Sequence, residues 1–127
     1  MSLPVLPNTL FQLGRVAIGA AFVAAPAKAG DGWVGEAAVA DGGVMARAFG
    51  GRDIALGIAT IAAARDRRIF TTLLAAGVMV DAIDCAATIA AGDRIPQQAR
   101  TVSGALAAGA ALNGIGLLLR ARRSNLS

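Results

Sequence analysis

Four long apolar runs, each close to twenty residues, set the pattern of this chain. They cover about residues 8–25, 44–64, 69–91 and 101–119. Between them lie "AKAGDGWVGEAAVADGG", "RDRR" and "GDRIPQQAR", which are charged, Gly-rich or Pro-containing, as connections are. About twenty apolar residues as a helix span a hydrocarbon core. The pattern predicts four helices, with the first ending at Pro26. A soluble bundle needs a polar outer face on every helix. The third run carries only Asp81 and Asp84, and the fourth has no charge before Arg120. The expected fold class is therefore an all-α membrane protein, a four-transmembrane-helix bundle in a single domain over residues 1–127.

Within each run the small and polar residues fall at three-four spacing, which lines one helix face. The first stripe is Asn8, Gln12, Arg15 and Gly19, and the second is Ala46, Gly50, Asp53, Gly57, Thr60 and Ala64. The third is Gly77, Asp81, Asp84 and Thr88, and the fourth is Ala105, Gly109, Asn113, Gly116 and Arg120. In lipid these stripes should face other helices, with Gly19, Gly50, Gly57, Gly77 and Gly109 allowing close approach. The ionisable residues inside the runs then form one charge cluster of Arg47, Arg52, Asp53, Asp81 and Asp84, with Arg15 and Asn113 as further contributors. Counting helix depth at ~1.5 Å per residue pairs Arg52 with Asp81 and Arg47 with Asp84. It leaves Asp53 turned away from Arg52, and Arg15 snorkelling toward the cytoplasm.

Composition sharpens this reading. Apolar residues make up 56% of the 127 residues and charged ones 16%, against roughly 25% charged in a soluble domain. Mean hydropathy is +0.63. The net charge of +4 comes from arginines at segment ends with no aromatics between them, which argues against nucleic-acid binding. Arg65, Arg67, Arg68, Arg120, Arg122 and Arg123 fall on one side of a four-span layout, so both termini are expected in the cytoplasm and the protein in a bacterial plasma (inner) membrane. Trp33 then lies in the outer connection, either at the headgroup level or as an ordinary exposed loop residue. "AKA" at 27–29 follows an apolar region, but no Lys or Arg precedes Arg15, so the first helix is expected to be retained.

The chemistry available is narrow. The chain has no His, and three aspartates with the lone Cys85 do not make a closed zinc site, so no metal and no cofactor is expected. Ser103 and Cys85 have no base beside them in sequence, and "GGRD" lacks the GK[ST] of a P-loop. The expected partners are the lipid bilayer and other membrane proteins or a second copy. Two functional readings remain. In the first, a non-enzymatic accessory or structural subunit uses the charges to fix its helices. In the second, a small proton-coupled transporter uses Asp81 or Asp84, which share a helix face at i and i+3 so that one holds a proton.

Arg15 and Gly19 in the first helix, Pro26 after it, Trp33 and Gly35, then "ARAFGGRDIALG" and the Asp81/Asp84 pair form a further pattern. It resembles a family of small four-helix bacterial membrane proteins of unknown function with an AR-x-x-G-x-RD-x-x-LG segment. The matching positions in that segment are Arg47, Gly50, Arg52, Asp53 and Gly57, and the likeness covers about residues 10–95. It implies a polytopic membrane protein and no particular activity.

Overall fold

A computed structural model describes residues 5–123. Those residues are almost wholly helical, with no strand among them. α1 is Val5–Ala24, α2 is Pro26–Val34, α3 is Val44–Ala62, α4 is Arg67–Ala91 and α5 is Gln97–Arg123. α3, α4 and α5 cover the second, third and fourth apolar runs, each within a few residues. The region after Pro26 differs from expectation. It is no loop: Pro26 opens a second helix, where its fixed φ suits the first helical position and its missing N–H costs nothing. A five-residue 3-10 stretch, Gly35–Val39, continues it, and the chain bends by 110° between α1 and this segment.

Local capping fixes the entries. The Asp41 carboxylate accepts from the backbone N–H groups of Gly43 and Met45, both at 2.9 Å, and so caps the start of α3. Met45 and Gly43 hold the Asp41 carboxyl below the usual 3.8. Gly42 and Gly43, at φ +73° and +77°, supply the left-handed backbone this turn needs. Asp66 caps α4 through the Ile69 N–H at 3.0 Å.

The bundle is two helix pairs. α1 packs along α3, and α4 along α5, while the contact between pairs runs mainly through α3 and α4, with α2 bridging α1 to α5. Glycine sets the first pairing: a Cβ on Gly19 would lie 2.5 Å from the Gly50 carbonyl oxygen, and one on Gly57 would lie 2.6 Å from Val16 Cγ2. A small apolar core of Ala63, Phe70, Leu74, Leu117 and Ala121 closes the end where α3 passes into α4. There the Arg67 guanidinium donates to the Ala121 carbonyl.

Polarity is inverted relative to a water-soluble domain. Asn8, Gln12, Arg15, Asp53, Thr60, Asp81 and Thr88 are buried, whereas Leu6, Leu10, Met45, Met79, Ile89, Leu106 and Leu112 are more than 60% exposed. Two segments, Arg67–Arg94 and Gln97–Arg123, are long and apolar enough to cross a membrane, or three if the bent pair from Val5 to Val39 counts as one span.

The stripe on α1 falls as the spacing predicts, with Asn8, Gln12, Arg15 and Gly19 buried, and that on α3 does so for Ala46, Gly50, Asp53, Gly57 and Thr60, whereas Ala64 lies past the end of α3 and is half-buried. On α5 the stripe does not pack. Ala105, Gly109, Asn113, Gly116 and Arg120 are exposed, and the buried face is Ala99, Gly114, Leu117 and Ala121. Gly109 therefore makes no close helix contact; a Cβ there would meet nothing within 4 Å. Gly114 takes that role, with a Cβ position 2.7 Å from Val78 Cγ2. Gly77 is a looser contact: a Cβ there would lie 3.8 Å from an Arg15 nitrogen.

Candidate functional site: an alternating charge row on the floor of a cavity

The buried stripes of α1, α3 and α4 bring five charges into one row. Arg15 Nη2 donates to Asp81 Oδ2 at 2.5 Å, and Arg15 Nη1 to Asp53 Oδ1 at 3.2 Å. The same Asp53 oxygen accepts from Arg52 Nη2 at 3.3 Å. Arg52 then grips Asp84 with both nitrogens, at 2.7 and 3.2 Å. The order is Asp81, Arg15, Asp53, Arg52, Asp84, alternating in sign. Such bidentate, charge-assisted contacts are the strong ones. Arg15, Asp53 and Asp81 are each under 10% exposed. Phe11 and Phe49 lie against the guanidiniums, with Arg15 Cζ at 5.7 Å and Arg52 Cζ at 4.5 Å from the ring centroids.

This geometry corrects the pairing expected from depth alone. Arg52 takes Asp84 and Asp53, not Asp81. Asp81 belongs to Arg15, which is buried between Asp81 and Asp53 and does not snorkel. Arg47 stands outside the row: it is exposed, and its guanidinium donates to the Gly42 carbonyl at 3.1 Å. Arg47 sits in the first turn of α3, so its side chain reaches back to the turn before the helix and not toward Asp84.

Trp33 is neither in a loop nor fully exposed. It lies near the end of α2, edge-on to Phe22 at 5.9 Å and to Phe49 at 4.5 Å. Its indole N–H donates to Thr88 Oγ1 at 2.9 Å, and that hydroxyl donates to the Asp84 carbonyl at 2.7 Å. The bent segment after Pro26 is thereby tied to the helix that carries the acidic pair.

Above the row opens a cavity of about 890 Å³ between α1, α4 and α5, with α2 at one end. Arg15, Asp53, Asp81 and Asp84 form its charged floor. Asn113 lines it from α5, together with Ala105 and Gly109, so the unpacked α5 stripe faces this space. Asn113 thus belongs to the cavity and makes no bond to the charge row. The cavity had no sequence signature: it lies between α1 and α5, with α2 packed against both.

Other chemistry is poorly placed. Cys85 Sγ donates to the Gly104 carbonyl at 3.6 Å and Ser103 Oγ to the Gly32 carbonyl at 3.5 Å, so both engage backbone and not a base. Among the described residues no group of three His, Cys, Asp or Glu side chains is arranged to hold a metal ion. No family model, no curated protein and no solved structure matches the chain.

Proposed function

We propose that this is a non-enzymatic integral membrane protein, a four-span bundle of a bacterial plasma membrane with both termini in the cytoplasm. Its Arg/Asp row locks α1, α3 and α4 together, as an accessory or structural subunit requires. The observation that carries the reading is the row itself: five intramembrane charges, each paired with an opposite neighbour, run across three helices, where an ionisable group is costly unless paired. The lipid-facing side chains and the resemblance in "ARAFGGRDIALG" support the membrane assignment.

A second reading, a small proton-coupled transporter using Asp81 or Asp84, is favoured by one specific observation: both carboxylates line a cavity large enough for a small molecule. The two readings separate in cells. Asp81→Asn and Asp84→Asn should lower the amount of folded protein in the membrane if the row is only a lock. Normal protein levels with loss of pH-gradient-driven flux would decide for transport.

A further inference from the structure

We infer that the cavity is a binding site for a monovalent organic cation with an apolar, aromatic-compatible body, its charge resting beside the two α4 carboxylates, Asp81 and Asp84, that line it. The inference deepens the transport reading by naming the class of substrate.

Charge complementarity is the first argument. Three carboxylates face two guanidiniums, Asp53, Asp81 and Asp84 against Arg15 and Arg52, so the row carries one negative charge more than it neutralises. The other elements around the cavity supply no cation to balance it. α5 offers the uncharged Ser103 and Asn113, and α2 offers Trp33, while Lys28 and Asp31 lie exposed and away from the lining. A buried excess charge is expensive in a low-dielectric setting. A monovalent cation in the cavity cancels it.

The walls are the second argument, and they are independent of the charge count. The chain has five aromatic residues, and four of them, Phe11, Phe22, Trp33 and Phe49, line this one space. Aromatic rings beside carboxylates recognise quaternary and other weakly hydrated cations. A bare metal ion gains nothing from such walls. At about 890 Å³ the volume falls in the range of sites for organic ligands, roughly 300–1,000 Å³. The α5 stripe of Ala105, Gly109 and Asn113 leaves that volume open, where large side chains would fill it.

The test uses the full chain purified in detergent, with tetraphenylphosphonium as the cationic probe and tetraphenylborate as its anionic counterpart of matching shape. Calorimetry should show saturable binding of the phosphonium and none of the borate. Asp84→Asn should weaken binding by about tenfold or more. Because that variant also loses an ion pair, Gly109→Phe provides a second: it fills the cavity from α5, where a Cβ meets nothing within 4 Å, and touches no charge. It should abolish binding while leaving the thermal unfolding curve unchanged. Equal binding of both probes, binding of neither, or full binding by Gly109→Phe overturns the inference. Phosphonium binding without any pH-driven flux in vesicles upholds the site and defeats the transport reading alone.

Discussion

Replacing Arg15 should damage this protein more than replacing the aspartate it holds. The row as it stands has two positive and three negative members, a net charge of −1. Arg15→Met keeps much of the side-chain volume but leaves Asp81 with no ion-pair partner and raises the excess to −2. Removing one member of a buried ion pair typically costs about 3–5 kcal/mol. Asp81→Asn breaks the same contact yet brings the remaining charges to zero, with Arg15 still bonded to Asp53 and Arg52 to Asp84. Its cost should be that of one charge-assisted hydrogen bond, about 1.5–3 kcal/mol, reduced by whatever bond the amide oxygen retains. The double variant returns to −1 and should be more stable than Arg15→Met alone. The assay is reversible unfolding in mixed micelles of increasing SDS fraction, followed by circular dichroism, on the wild type, both single variants and the double. Additive losses, or a larger loss from Asp81→Asn than from Arg15→Met, would refute the reasoning, because either result means that Arg15 is not compensating buried negative charge.

Three further outcomes are expected. Gly50→Ala should destabilise by about 1–3 kcal/mol, since its Cβ would overlap the Gly19 carbonyl and sit 2.9 Å from Phe22 Cβ, whereas Gly51→Ala, with nothing within 4 Å, should be neutral or stabilising in the same unfolding assay. The Asp41 cap titrates in the acid range: its folded pKa lies below the unfolded 3.8, so the stability it lends α3 is full above 3.8 and is lost as pH falls through the folded value; the Gly43 and Met45 amide signals, followed by NMR, should move in that lower window and not in Asp41→Asn. A reporter fused after Ser127 should be active in its cytoplasm-dependent form, because the six arginines at residues 65–68 and 120–123 set the orientation; periplasmic activity would reverse the topology.

Much of the helix layout was legible because apolar length and three-four spacing are direct consequences of helix geometry. The α1 stripe, and the α3 stripe up to Thr60, are legible because glycine and polar side chains coincide there, and both are needed where backbones meet in lipid. The same logic failed on α5, where Ala is so frequent that a small-residue stripe can be drawn on more than one face, and Gly114 rather than Gly109 meets the neighbouring helix. Pro26 both ends one helix and starts the next, so a reading of it as a stop alone hides α2 and with it the packing of Trp33. Partner choice in the charge row was beyond depth counting for a physical reason. Arginine reaches several ångströms in any direction, so helix rotation and not axial height decided that Arg15 meets Asp81 and Arg52 meets Asp84.

Fractionating cells and washing the membranes with alkaline carbonate distinguishes a membrane-embedded bundle with inward-turned charges from a water-soluble one. The protein should stay with the membrane pellet, float with lipid in a density gradient, and be released only by detergent. Recovery of folded protein in the carbonate supernatant, or in the soluble fraction without detergent, would contradict a membrane-embedded bundle.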